Sequence, residues 1–422
     1  MMEKRSNWAG NYIYGAVGLH FPETVDEVRE LVRRGGKVKA LGSRHSFNGI
    51  ADTPGELVSL DRLERRLEID PERRTVTLDA GARYGQICEQ LHRQGYAFPN
   101  LASLPHISVV GACATATHGS GDRNGNLATA VSAMEFITAD GEVVRLSREE
   151  NGEEFSGAVV GLGGLGVVTS LTLDVVPTFE VRQNVYENLP MAQLEEHFDE
   201  ITSRAYSVSM LTDWQAERIN QVWLKRPVVP GVPFEPESAL FGATPAPANR
   251  HPIPGLSAEN CTQQMGVPGP WYERLPHFRM GFTPSSGEEL QSEYFVPRPH
   301  ALEAFHAIYG LRDRIAPLLQ ISEIRTIAGD DLWMSPCFGH DCVSVHFTWV
   351  KDRQGVGEFL PLLEEALAPF EARPHWGKVF TMEPERVRSF YPRLADFQRL
   401  LGAYDPEGKF RNAFLEEYVF GE

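Results

Sequence analysis

The sequence predicts an α+β fold in two domains, and three observations carry that prediction. At 422 residues the chain is longer than one hydrophobic core ordinarily organises. As far as about Val176, short helical patterns alternate with β-rich runs. Past Pro177 the texture changes to strand-like segments separated by helices, which reads as an antiparallel-sheet domain.

The elements follow in order. In "TVDEVRELVRRG", Val25, Val28, Leu31 and Val32 share a helical face, Thr24 is the cap and Gly35–Gly36 the stop. "KVKAL", "LVSLDRL" and "RTVTLDAGA" are strand candidates, and "RYGQICEQLHRQG" is a second helix ending at Gly95. "AVSAMEFITADGEVVRL" reads as a hairpin turning at Asp140-Gly141. Residues 226–287 are rich in proline and glycine, which predicts long ordered loops. "LQSEYFVP", "LLQISEIRTIA" and "CVSVHFTWV" are strands, with "ALEAFHAIYGLRDRI" a helix among them. "YPRLADFQRLLGAYDPEGKFRNAFLEEY" ends the chain as helix, turn and tail.

"VVGLGGLGVVTSLTLDVV" spells G-x-G-x-x-G at Gly161, Gly163 and Gly166. That spacing binds a dinucleotide only where the glycines open a helix whose N-terminus meets the pyrophosphate. Here Val167, Val168, Thr169, Leu171 and Leu173 follow, β-branched and alternating, so a strand follows and the Rossmann reading fails.

A net charge of −17 argues against a nucleic-acid backbone or an anionic membrane as partner. The N-terminus has no apolar signal region and no run reaches a membrane span, so a cytoplasmic location is expected. Five scattered cysteines do not suggest a disulfide framework. The spacing of Cys337, His340, Cys342 and His346 matches no common zinc site, and no metal is expected.

Three stretches carry chemistry. "ALGSRHSFNGI" ends a strand at Leu41 and turns through Gly42, Ser43, Arg44, His45 and Ser46, with backbone N–H groups free for an anion. From this loop alone, the plainer reading of His45 is a turn histidine bonded to backbone. "NLASLPHISVVGACATATHGSG" combines near-bare Gly111, Ala112, Ala114 and Ala116 with Ser103, Ser108, Thr115, Thr117 and His118, which would let a large flat ligand approach the backbone. In the third stretch, period two puts Glu323 with Arg325, and Ser344 with His346 and Thr348, on single strand faces, while "HWGKVF" reads as a strand carrying Lys378. These faces are either solvated surface or, if they share a cavity, a hydrogen-bonding floor for a polyhydroxylated substrate.

In this combination and order the motifs resemble the vanillyl-alcohol-oxidase family of FAD flavoproteins, and within it the bacterial alditol oxidases. "GSRHSFN" is similar to that group's flavinylation loop, and "GLGGLGVVTSLTLDV" to its third FAD stretch. "CTQQMGVPGPWYERLPHFR", "SEIRT", "HFTWV" and "RPHWGKVF" resemble its substrate-domain segments, and "DPEGKFRNAF" its C-terminal return to the flavin. The resemblance implies an FAD-binding domain over 1–178, a substrate domain over 179–384, and a returning segment over 385–422. It implies a covalent link from FAD to His45, with Leu41 to Ser46, Ser103, Ser108, Gly111, Thr115, Ala116, Thr117, His118 and Val168 lining the cofactor. Ser103, Glu323, Arg325, His346, Thr348 and Lys378 would bind the polyol, His346 and Lys378 would be catalytic, and Ala102 would leave room for O2.

Relatives with a second covalent link have a cysteine where Ile107 or a neighbour stands here, so a single histidyl link is expected, and Cys113 reads as packing. Arg44 departs from the glycine many relatives carry. The implied activity is oxidation of an alditol C1 hydroxyl to the aldose, with hydride passing to FAD and O2 becoming hydrogen peroxide. The alternative is a sugar-lactone oxidase or dehydrogenase. The expected partners are a small polyol and O2, and the expected state a monomer.

Overall fold

The computed structural model describes residues 5–64, 66–282 and 288–421. The end of the 226–287 stretch, from 283 to 287, lies outside the described residues.

Among the described residues the first half builds two larger sheets, besides a two-stranded pairing of Tyr96–Ala97 with Val176–Pro177. Gly18–His20 (β1), Val38–Ala40 (β2) and Glu56–Val58 (β3) pair in parallel, in the order β1-β3-β2. Helix α1, Val25–Arg34, connects β1 to β2, with Thr24 capping the Glu27 N–H and Val28 and Val32 buried. Leu67–Asp70 (β4), Thr75–Asp79 (β5), Val131–Ile137 (β6), Val143–Ser147 (β7) and Val167–Asp174 (β8) form an antiparallel sheet in the order β4-β5-β8-β6-β7. Tyr84–Arg93 (α2), Val109–Ala114 (α3) and Arg148–Val159 (α4) complete this half.

One strand reading changes here, and two stretches left unassigned take helical form. "LVSLDRL" is extended only to Val58, after which it turns. The small-residue stretch forms the short helix α3, Val109–Ala114. The apolar run before Gly161 belongs to helix α4, while β8 follows the glycines as expected.

From Glu180 onward the chain builds one antiparallel sheet of nine strands. Its centre runs Glu180–Pro190 (β9), Arg218–Pro227 (β11), Ser207–Thr212 (β10), Leu319–Ile327 (β13), Cys342–Val350 (β14) and Glu289–Pro297 (β12) in spatial order. Between Pro227 and Glu289 the described residues make only two-residue bridges and single turns. Along β14, Val343, Val345, Phe347 and Trp349 take the face that meets helix Arg353–Ala366 (α5), where Trp349 meets Phe359 edge-on at 5.7 Å. The opposite, polar face is buried too, so it is no solvated surface.

Lys378 is not on a strand. The strand ends at Pro374, and Trp376–Lys378 bulges out as a turn between the His375 N–H on Glu293 O and the Val379 N–H on Gln291 O, fixed by the Gly377 N–H on His375 Nδ1 at 3.0 Å. Cys337 and Cys342 pack with Phe295 and Ile327 in a small apolar cluster.

The C-terminal segment returns to the first half. After helix Leu394–Tyr404 (α6), Lys409 Nζ donates to the carbonyls of Val32 and Ala139, both at 2.7 Å, and Asn412 Nδ2 donates to the carbonyls of Gly49, Ile50 and Asp52. The tail expected beyond it coils into short helical turns at Ala413–Leu415 and Glu416–Phe420. Among the described residues no helix is long and apolar enough to cross a membrane.

Candidate active site

The site begins where β2 ends. Leu41–Ser46 turns away from the sheet and is held from both sides: the Trp8 N–H donates to Arg44 O at 2.8 Å, and the Phe47 N–H to Gly377 O at 2.7 Å. Arg44 has φ 61°, the left-handed region that glycine enters without cost. The chain therefore keeps the turn geometry with an arginine in it. Ser108 underlies the turn, its N–H on Ser43 Oγ at 3.0 Å. A Cβ placed at Gly42 would stand 2.5 Å from Ser108 Oγ, so glycine there lets the turn approach the second segment closely.

His45 lines the cavity under this turn, and neither ring nitrogen makes a hydrogen bond of ordinary geometry. Ser43 of the same turn is the nearest backbone partner for the ring. Trp8 stacks on it with centroids 5.5 Å apart and planes 17° from parallel. Burial, then the neighbouring His106, pushes its pKa down to about 4, leaving a neutral imidazole with an unused lone pair.

The cavity holds about 1590 Å³ of empty space, its mouth included. Leu41, Gly42, Ser43, Arg44, His45, Ser46, Ala102, Ser103, Ser108, Gly111, Thr115, Thr117 and His118 line it from the first half. Glu323, Arg325, His346, Thr348 and Lys378 line it from the second. Ala116 is fully buried and does not line it. Val168 lies instead in an adjoining cavity under Gly161, Gly163 and Gly166, which shares Leu41, Gly42, Ser108 and Gly111 with the first. The two adjoining cavities, with His45 lining the first, fit an extended, flat cofactor such as FAD.

Sheet register aligns the polar floor. Glu293 on β12 lies opposite His346 on β14, and His346 opposite Glu323 on β13, so three titratable side chains form a row across three strands. Towards one end, Arg325 donates to Ser103 Oγ at 2.8 Å and pairs with Glu323, whose other oxygen is 3.0 Å from His277 Nε2. Behind these, Lys225 Nζ is 3.2 Å from His277 Nδ1, and Trp223 stacks on the His277 ring at 4.7 Å. Burial favours a protonated Glu323, but the Arg325 guanidinium and His277 outweigh it and hold the carboxyl well below the usual range. Burial and then Lys225 push His277 down to about 4.

At the other end, Lys378 Nζ lies 2.6 Å from His346 Nδ1 and 2.7 Å from Glu293 Oε2, while His346 Nε2 is 3.2 Å from Thr348 Oγ1. Burial and then the Lys378 charge lower the His346 pKa; burial lowers that of Lys378, and Glu293 opposes it. Such a floor can fix several hydroxyls, draw a proton from one, and favour negative charge on its oxygen.

Sequence reasoning did not single out Glu293, His277, Lys225, His375 or Trp8. Glu293 was within reach of the period-two rule, since Gln291 and Glu293 alternate along "LQSEYFVP" as Glu323 and Arg325 do along their strand. His277, His375 and Trp8 sit in irregular segments, where no period marks which way a side chain faces.

Residues 17–147 match a family model described as FAD binding domain, and residues 287–418 one described as D-arabinono-1,4-lactone oxidase. The chain is 50% identical over 419 residues to an alditol oxidase of a Streptomyces species, with 99% of each chain covered. It is 27% identical to L-gulono-1,4-lactone dehydrogenase of Mycobacterium tuberculosis and 26% to L-gulonolactone oxidase of Mus musculus, with 98% of each chain covered in both cases. The crystal structure of cholesterol oxidase from B. sterolicum superposes with a TM-score of 0.78 at 14% identity, over 99% of this chain and 96% of that one, and shows the common fold. A flavin-type cleft, a match to an FAD-binding model and end-to-end similarity at half identity converge: the chain belongs to the alditol oxidase group of the vanillyl-alcohol-oxidase family of FAD-binding oxidoreductases.

Proposed function

We propose that this protein oxidises the C1 hydroxyl of alditols such as xylitol and sorbitol to the aldose, with FAD tied covalently to His45 and O2 as the electron acceptor. The observation that carries this reading is the polar floor facing the same cavity as His45: buried Glu323, Arg325, His346 and Thr348, with Lys378 and, from the opposing loop, Ser103 beside them. A buried wall of this polarity needs a ligand that satisfies it. A polyol does so with one hydroxyl per carbon, and an analogue lacking a hydroxyl would leave buried groups unpaired.

FAD supplies, when bound, the hydride acceptor at C1 and the route by which O2 becomes hydrogen peroxide. The protein's part is position and charge. Glu323, Arg325 and Ser103 hold the distal hydroxyls, which converts binding into orientation of C1. His346 accepts the C1 hydroxyl proton, and Lys378 beside it favours the developing alkoxide. Ala102 keeps a small side chain against the cavity, which supports O2 access. The covalent link is supported by His45 facing the cavity with a neutral ring.

The lactone reading has one observation in its favour, the match of residues 287–418 to a lactone-oxidase model. Purified protein in air with xylitol, and separately with L-gulono-1,4-lactone, tests the two readings by hydrogen peroxide release. Saturable peroxide from xylitol alone is the expected result. Peroxide from the lactone alone would replace the alditol reading. Acid-denatured protein should keep its yellow colour in the pellet, and His45→Ala should lose it.

A further inference from the structure

Glu293 is a fully enclosed carboxylate beside the reacting groups that the reaction above does not use. Its side chain is 2% exposed, it comes from the sheet strand β12, and three basic groups from three other segments converge on it. Lys378 Nζ is 2.7 Å from Oε2, His118 Nε2 of the cofactor-side loop is 3.1 Å from Oε1, and His346 Nδ1 is 3.8 Å from Oε2. A carboxylate left alone in such a place would be severely destabilising. Its position in register with His346 means that the backbone, and not a flexible side chain, sets the spacing.

The hydrogen-bond chemistry of His346 then poses a question. With Lys378 as ammonium, its N–H donates to Nδ1, so the proton of the neutral ring sits on Nε2 and points to Thr348 Oγ1. In that state the ring has no lone pair for a substrate hydroxyl. The receptive state has one proton fewer: Lys378 is a neutral amine, Nδ1–H donates to it, and Nε2 is free.

We propose that Glu293 is a positioning residue, the counter-ion that makes Lys378 the final holder of the substrate's hydroxyl proton. The alcohol proton passes to His346 Nε2, the Nδ1 proton passes to Lys378 Nζ, and the resulting ammonium is held by Glu293 Oε2. FAD, when bound, would be the acceptor for the C1 hydride, so the two protons move by one site each and no charge is stranded on the ring. This rests on the alditol reading and deepens it.

The other charges around the pair do not replace Glu293. Arg325 and His375 face Lys378 from β13 and from its own turn, and any positive charge there disfavours the ammonium. Glu323 is nearer to Arg325 and His277, both of which it already pairs. Glu293 alone among these touches Lys378 directly with negative charge. Consistent with that geometry, burial raises its pKa but Lys378 and His118 outweigh it and hold the carboxyl well below the usual range.

Anaerobic reduction of the bound flavin by xylitol, followed by stopped flow against pH in the FAD-loaded enzyme, tests this. The wild-type rate should rise with pH to a plateau as the Lys378–His346 pair loses its shared proton. In Glu293→Gln the ammonium loses its anion and gives up that proton more easily. The rising limb should then move to lower pH by about one unit or more, and the plateau should fall at least tenfold because the relay is a weaker base. Glu293→Asp keeps the charge, and its limb should stay closer to wild type than to the glutamine variant, even if the plateau drops.

A Glu293→Gln enzyme that loads FAD and keeps its limb at the wild-type pH overturns the proposal. So does loss of FAD loading in both variants, which marks a purely structural residue. If only the glutamine variant fails to load, the aspartate limb decides: unmoved supports, displaced overturns. Wild-type flavin that neither xylitol nor sorbitol bleaches would remove the alditol reading, and this proposal with it, and that result is visible before any variant is made.

Discussion

Lys378 and Thr348 touch the same imidazole from opposite ends, and only one of them carries charge. Replacing Lys378 with Met removes the amine that takes up the proton and that, once it is the ammonium, favours the alkoxide. Turnover should fall by about three orders of magnitude, on the scale of losing one electrostatic stabiliser together with one acid–base group. Thr348→Ala removes one neutral hydrogen bond, of about 1 kcal/mol, and should change kcat less than tenfold. Steady-state peroxide assays of the two variants check this, and similar kcat values would contradict the assigned roles. Arg44 gives a prediction of a different kind. An L-residue at φ 61° pays about 1–2 kcal/mol that glycine does not, while glycine in the unfolded chain returns somewhat under 1 kcal/mol of that as entropy. Arg44→Gly should therefore be stabilising by roughly 0.5–1 kcal/mol, read from urea midpoints, with covalent flavin content unchanged. The sequence marked this position by its departure from relatives, but the sign of φ is a property of the turn and not of the residue.

At the scale of elements, the strands were legible wherever one face is apolar and the other is not. β14 shows this best, since Val343, Val345, Phe347 and Trp349 announce the period themselves. Lys378 was misassigned because the aromatic and β-branched residues around it imitate a strand, while His375 and the Gly377 N–H close a turn that composition does not reveal. The glycine-rich stretch is the instructive case. Gly166 stands at the entrance to β8, and a Cβ there would be 2.2 Å from the Ile137 carbonyl oxygen on the neighbouring strand β6. The glycine spelling thus records close approach of two strands, a backbone requirement with nothing to do with a phosphate. Gly166→Ala should cost about 3 kcal/mol, because the obstructing atom is main chain and cannot rotate aside. Thermal unfolding should show a loss of several degrees; a Tm within one degree of wild type would mean that the strands yield more easily than this packing implies.

Across the whole molecule, the site exists only because distant segments meet. The floor comes from β12 to β14, the cofactor loops from the first half, and the turn at His375–Lys378 joins them through the Phe47 N–H on Gly377 O and the His375 N–H on Glu293 O. Nothing in composition or period reports such meetings; the family resemblance implied them, and register and hydrogen bonds give them their geometry. His375 sits at this junction, 4% exposed, and burial, then Lys378, pushes its pKa down to about 3. In the unfolded chain it titrates near the ordinary 6.5. Between those values the unfolded state binds a proton that the folded state refuses. The stabilising effect is complete above pH 6.5 and is lost as pH falls, at about 1.4 kcal/mol per pH unit for one proton. His277, pushed down to about 4, adds to the same slope, whereas Asp330, pushed up to about 6 by burial, opposes it by taking a proton when folded. Comparison with His375→Asn isolates one proton from this sum, because the Asn amide oxygen can still accept the Gly377 N–H but does not titrate. Wild type should lose about 1–2 kcal/mol more than the variant between pH 6.5 and pH 5, measured as urea unfolding at each pH. Equal losses in the two proteins would mean that the junction admits water and protonates His375 while folded.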